Sequence, residues 1–183
     1  MIKNRIPKNI FLIGFMGAGK TSVGGVLAKK LGLDFRDLDE VIKNEIGMTI
    51  PEIFSRFGED FFRNEESKAL KSVARAKNQV VATGGGVVLR EENWEIMEND
   101  GITIYLKASA EVLWRRVKSN TSRPLLQVEN PFEKLEELLS KRISLYERAD
   151  LIVNTENISP ADVAEKIIRE LNGLKFKEES GDS

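Results

Sequence analysis

Apolar residues follow two patterns along the chain. Short blocks at Asn9–Ile13, Asp34–Leu38, Gln79–Ala82, Ile102–Leu106 and Leu151–Val153 have the length and flanking residues of strands. Between them apolar positions recur at amphipathic-helix spacing, beginning with a helix over Thr21–Leu31. This alternation is the pattern of βαβ units and predicts an α/β fold, with a parallel sheet covered on both faces. Helix boundaries carry local signals. Thr49-Ile50-Pro51-Glu52 reads as a capping box with Pro in the first turn, and Asn130-Pro131 and Ser159-Pro160 repeat the order of cap then Pro. Gly101 and Gly173 follow helical stretches and are expected to close them as left-handed caps. The polar stretch Ser119–Asn130, which carries Arg123-Pro124, is long for a connection in a compact domain and is expected to be functional.

Composition narrows the chemistry. The chain has 183 residues, with 28 basic against 29 acidic side chains and a net charge of −1. That length predicts one domain, taken as residues 1–173, followed by a polar tail over 174–183 that is expected to fray. With no Cys and no His, disulfides, thiol catalysis, zinc sites and Ser-His triads are excluded, and proton transfer falls to Asp, Glu, Lys or Tyr. Near-zero net charge argues against nucleic acid held by bulk electrostatics. Lys3, Arg5 and Lys8 before Ile10–Ile13 imitate a signal peptide, but the apolar run breaks at Gly14, and no stretch is long enough to span a membrane. A soluble cytoplasmic protein is expected.

The strongest motif is Gly14-Phe15-Met16-Gly17-Ala18-Gly19-Lys20-Thr21, a complete G-x-x-x-x-G-K-[ST] between a predicted strand and a predicted helix. Its glycines let backbone N–H groups turn inward, the helix N-terminus adds partial positive charge, Lys20 suits the β- and γ-phosphates and the Thr21 hydroxyl suits Mg²⁺. A nucleoside triphosphate with Mg²⁺ follows, while water, a protein or a small molecule could each receive the phosphoryl group. Asp37-Leu38-Asp39 ends the second strand, where alternation would place both carboxylates on one side, at the end of the sheet where ligands bind. Thr83-Gly84-Gly85-Gly86 follows the third strand and offers bare backbone to a ligand. Taken alone, Arg63 and Arg142 read as exposed helix-face residues.

In order along the chain, the P-loop through Ser22, then Asp37-Leu38-Asp39, Gly58-Glu59 with Phe62-Arg63 and Glu66, Gly84-Gly85-Gly86, Arg123-Pro124-Leu125-Leu126, and Arg142 with Tyr146 together resemble shikimate kinase, up to about Leu171. The resemblance implies a three-layer fold similar to nucleoside monophosphate kinases, with five parallel strands in the order 2-3-1-4-5, a substrate-binding region at about 39–66 and a lid at about 119–128. It implies transfer of phosphate from ATP to the 3-hydroxyl of shikimate, giving shikimate 3-phosphate and ADP in aromatic amino-acid biosynthesis. Residue by residue, it makes Lys20, Asp39 and Arg123 catalytic. The nucleotide falls to Gly17, Ala18, Gly19, Lys20, Thr21, Ser22, Arg116, Arg123 and Pro160, the last two groups of contacts being Arg123 at the transferring phosphate and Arg116 with Pro160 beside adenine. Shikimate falls to Asp39, Arg63, Gly84, Gly85, Gly86 and Arg142, with Glu66 holding Arg63, and Mg²⁺ to Thr21 and Asp37. The expected partners are shikimate and ATP, with no nucleic acid or membrane, and the expected state is a monomer. Competing readings are a gluconate or nucleoside monophosphate kinase of the same architecture, and a non-catalytic nucleotide-binding module.

Overall fold

A computed structural model of the chain describes residues 8–119 and 124–180, the stretch from 174 onward as helix backbone only. The elements run β1 (Asn9–Ile13), α1 (Lys20–Leu31), β2 (Asp34–Asp37), α2 (Leu38–Ile46), α3 (Ile50–Ala74), β3 (Gln79–Ala82), α4 (Glu91–Asp100), β4 (Gly101–Lys107), α5 (Ala110–Val117), α6 (Pro131–Tyr146), β5 (Leu151–Asn154) and α7 (Pro160–Ser180). Short 3₁₀ turns occupy Val87–Leu89 and Pro124–Leu126. Five parallel strands form one sheet in the order β2-β3-β1-β4-β5. Leu12 pairs with Ala82 on one side and Ile104 on the other, which puts the fully buried β1 at the centre. A strand covered on both faces needs apolar side chains on both, so Ile10, Phe11, Leu12 and Ile13 run without alternation.

Connection direction sorts the helices. The step from β1 to β2 runs opposite to the steps β2 to β3, β3 to β4 and β4 to β5, so the right-handed crossover rule places α1 on one face and α3 and α4 on the other. Helix α7 returns to pack on α1, while α3 packs on α4. The buried Asn9 fastens the start of β1: its Nδ2 donates to the carbonyls of Ala74 (3.2 Å) and Ala76 (2.8 Å), and its Oδ1 accepts from the Gln79 N–H (3.2 Å). Among the described residues no helix is long and apolar enough to cross a membrane.

Local structure departs from expectation at four points. Strand β2 stops at Asp37, because that carboxylate accepts from the N–H groups of Asp39 and Glu40 and caps α2; Leu38 and Asp39 are helical, so strand alternation does not apply to the Asp pair. Gly101 is extended and begins β4, where a Cβ would collide with the Asn9 carbonyl and the Phe11 ring, so close packing and not a left-handed turn requires it. Gly173 lies inside α7, which continues to Ser180 through the segment expected to fray. Asn130 precedes α6 without a side-chain capping bond. The Thr49–Glu52 capping box forms with both reciprocal bonds, and Ser159 Oγ accepts from the Asp162 N–H at 3.2 Å. Within α3 the backbone breaks at Gly58 (φ 82°, ψ 175°), which splits a long helix into two arms.

Candidate active site

The loop after β1 folds around its own glycines. Gly17 and Gly19 take φ of 81° and 94°, in the left-handed region that disfavours a side chain. Lys20 Nζ donates to the carbonyls of Gly14 (2.6 Å) and Phe15 (3.0 Å), spanning the loop from its helical end to its strand end. Thr21 Oγ1 donates to Asp37 Oδ2 at 2.6 Å, so the first turn of α1 and the cap of α2 meet. Lys20, Thr21 and Asp37 line a cavity of about 320 Å³ with Met16, Gly17, Gly19, Ser22, Asp39, Thr83, Gly84, Gly85 and Arg116. Thr21 and Asp37 form a pair of hard oxygen donors suited to Mg²⁺. Among the described residues there is no group of three or more Asp or Glu side chains that could hold a metal ion.

A second pocket adjoins the first. Its walls are Asp39 from α2, Ile50, Phe54, Phe62, Arg63 and Glu66 from α3, the loop Gly84–Gly86, Pro124 with Leu125, and Arg142 from α6. Met16, Asp39, Gly84 and Gly85 line both cavities, which makes Asp39 the carboxylate at their junction. Arg63 is 7% exposed; its Nη1 donates to Glu66 Oε2 at 2.7 Å and its Nη2 to Glu59 Oε1 at 3.1 Å. Its guanidinium also lies 5.1 Å from the Phe62 ring centre. Glu66 is fully buried, and burial pushes its carboxyl above the usual carboxylate range while Arg63 pulls the other way. Arg142 is 5% exposed, with its guanidinium 5.8 Å from the Phe15 ring centre and its Nη1 3.4 Å from the Gly85 carbonyl.

The three glycines serve packing as much as turning. A Cβ on Gly84 would come within 2.2 Å of Glu66 Oε1, and one on Gly86 within 2.2 Å of the Arg63 guanidinium, so the ion pair occupies space that only glycine leaves open. Gly85 lies against the backbone of Met16 and Gly14, joining this loop to the phosphate loop.

The sequence-derived residues are largely brought together. Lys20, Thr21, Ser22, Gly17, Gly19, Asp37 and Arg116 line the first cavity, and Arg63, Gly86 and Arg142 the second. Arg116 donates to the Gly17 carbonyl (3.1 Å) and the Thr155 carbonyl (2.8 Å), holding the loop after β5 against the phosphate loop. Ala18 lines neither cavity: its side chain is buried and its N–H donates to the Phe15 carbonyl at 3.1 Å. Pro160 opens α7 and lines neither cavity. Arg123 lies outside the described residues, although the adjacent Pro124 and Leu125 line the second pocket. The sequence reading assigns no role to Met16, Glu59, Phe54 or Thr83. Phe54 follows Ile50 at helical spacing, which reads as core, and nothing local marks Glu59 as a partner of Arg63 beyond the i, i+4 offset.

Comparison with known proteins completes the picture. The family model for shikimate kinase matches residues 16–172. A shikimate kinase of Thermodesulfovibrio yellowstonii is 57% identical over 167 residues, covering 91% of this chain and 96% of that protein. The solved structure of shikimate kinase from Acinetobacter baumannii in complex with shikimate superposes with a TM-score of 0.91 at 41% identity, covering 93% of this chain and 96% of that one. A gluconokinase from Sinorhizobium meliloti shares the fold at a TM-score of 0.63 and 18% identity, covering 98% of this chain and 100% of that one.

Proposed function

The chain belongs to the shikimate kinase family, and from that premise we propose that it transfers the γ-phosphoryl group of ATP to the 3-hydroxyl of shikimate in aromatic amino-acid biosynthesis. The observation that carries this reading is the position of Asp39, shared by the wall of the Lys20–Thr21 cavity and the wall of the Arg63–Arg142 pocket. A phosphoryl donor in one and an alcohol in the other would face each other across that carboxylate.

The division of labour follows from charge. Phosphoryl transfer needs positioning and electrostatic stabilisation more than covalent chemistry, which suits a chain without His or Cys. The backbone of Gly17–Thr21 and the N-terminus of α1 receive the phosphates, and Lys20 exchanges its loop carbonyls for phosphate oxygens. Arg116 and Pro160 are assigned to the adenine side. Thr21 and Asp37 would hold Mg²⁺, which neutralises phosphate charge when bound. Arg63 and Arg142 grip the acceptor carboxylate through guanidinium forks, and the glycine loop lies along its ring. Asp39 accepts the hydrogen bond of the acceptor hydroxyl and turns its oxygen toward the phosphoryl group. Arg123, just before Pro124, is assigned to the transferring phosphate by its motif, on a lid at about 119–128.

We take it to act as a monomer on small molecules, and the near-zero net charge argues against nucleic acid held by bulk electrostatics. The lack of Cys fits a reducing compartment such as the cytoplasm. ADP release with ATP and Mg²⁺, compared for shikimate, gluconate and CMP, tests the reading. Turnover is expected with shikimate, and equal turnover with gluconate would overturn it.

A further inference from the structure

The wall between the glycine loop and α6 contains a tyrosine that the mechanism leaves without a role. Tyr146 is fully buried, and its hydroxyl donates to the Gly85 carbonyl at 2.5 Å. Arg142, one turn earlier on the same helix, reaches that carbonyl only at 3.4 Å. A charged donor makes the stronger bond where access is equal, so the longer contact of the guanidinium shows that the hydroxyl has the better placement. We propose that the Tyr146 hydroxyl is a positioning group: by occupying the Gly85 carbonyl, it keeps the Arg142 guanidinium turned into the acceptor pocket and available to the substrate carboxylate. The inference rests on the reading of Arg142 as a carboxylate ligand.

Several features restrict each partner. The Tyr146 ring stacks on Tyr105, with centres 5.0 Å apart and planes 18° from parallel. Burial pushes the Tyr146 phenol up, with Arg142 opposing, so the hydroxyl keeps the proton it donates. The backbone following Gly85 is pinned from α4, where Asn93 Nδ2 donates to the Val87 carbonyl (2.9 Å) and Trp94 Nε1 to the Val88 carbonyl (3.0 Å). Loss of the hydroxyl would therefore be answered by the flexible Arg142 side chain closing on the freed carbonyl, and not by the loop moving.

Tyr146→Phe removes one oxygen and keeps the ring; Tyr105→Phe removes the hydroxyl of the stacked neighbour, which is not among the side chains that donate to the Gly85 carbonyl. Tyr146→Phe should raise both the KM and the calorimetric Kd for shikimate about three- to tenfold, leaving kcat at saturation and the KM for ATP unchanged. Tyr105→Phe should leave all four values unchanged. A wild-type chain inactive on shikimate would refute the functional reading, and Arg142→Lys with wild-type shikimate affinity would refute the carboxylate role. With both of those standing, wild-type shikimate affinity in Tyr146→Phe overturns the inference, as do equal losses for shikimate and ATP. A lowered melting temperature without the KM split would mark Tyr146 as structural only and equally overturn it.

Discussion

The phosphate cavity and the acceptor pocket share a wall but are made of different material. The first is mostly backbone and first-turn side chains from one continuous segment, Met16–Ser22, completed by Asp37, Asp39, the glycine loop and Arg116. The second is made of side chains from α2, α3, α6, the glycine loop and the turn at Pro124, and its two cations are buried. A motif that works through its own backbone needs only a strand before it and a helix after it. A pocket that works through desolvated charges needs every neighbour in place, because an unpaired ion inside a protein is costly. Substrate recognition and stability should therefore be coupled at the acceptor end and separable at the phosphate end.

The largest test of that contrast is Arg63→Ala. Loss of a paired contact to the acceptor carboxylate should weaken shikimate binding by about 2–5 kcal/mol. Leaving Glu66 buried without its guanidinium should also cost about 3–5 kcal/mol of folding stability. Calorimetry with shikimate and urea unfolding read the two effects separately, and a loss of affinity with unchanged stability would break the coupling. Arg63→Lys, which keeps the charge, provides a folded variant if the alanine variant is too unstable.

At the other end, Lys20→Met should reduce turnover on the order of 10²- to 10³-fold, as expected for removal of one preorganised donor. Its unfolding free energy should stay within about 0.5 kcal/mol of wild type, since the ammonium donates to carbonyls of its own loop and not to a buried carboxylate across the core. Shikimate affinity should be unchanged in calorimetry without nucleotide. A large stability loss would show that the phosphate loop is as dependent on its side chains as the acceptor pocket.

The smallest effect sharpens the comparison at single-atom scale. In Gly86→Ala the new methyl meets the Arg63 guanidinium, which should cost about 1–3 kcal/mol of stability and raise the KM for shikimate but not for ATP. Gly25→Ala on α1, where a Cβ meets nothing within 4 Å, should instead stabilise by about 0.4–1 kcal/mol and leave both KM values unchanged. Indistinguishable kinetics for the two variants would remove the argument that the glycine loop leaves room for the ion pair.

Much of the molecule was legible from local pattern. All five strands fall where the sequence pattern predicts them, most plainly β1, β3 and β4, because a strand buried on both faces has little alternative to a continuous apolar run. The phosphate loop and the Thr49–Glu52 cap were legible for a related reason: their bonds close within a few residues, so the residues that specify them are neighbours in sequence. Gly101 and Gly173 show the limit. A glycine after a helical stretch looks the same whether it closes a turn, admits a Phe11 ring or lies inside a longer helix, and only the packing distinguishes these cases.

The acceptor pocket is where residue-level reading stopped. Taken singly, Arg63 and Arg142 look like solvated helix residues, and only the ordered motif set of a known family pointed elsewhere. In the fold they are 7% and 5% exposed, because Glu66, Glu59, Phe62, Phe15 and Gly85 close around them. The sequence by itself determined the elements, the phosphate loop and the exclusion of thiol and imidazole chemistry, all of which depend on residue identity and short-range spacing. Tertiary structure alone decided that two arginines lose their water, that Asp39 stands between two cavities, and that Tyr146 and Arg142 converge on one carbonyl. Desolvation and convergence are set by segments far apart in the chain, and no local pattern of residues encodes how those segments meet.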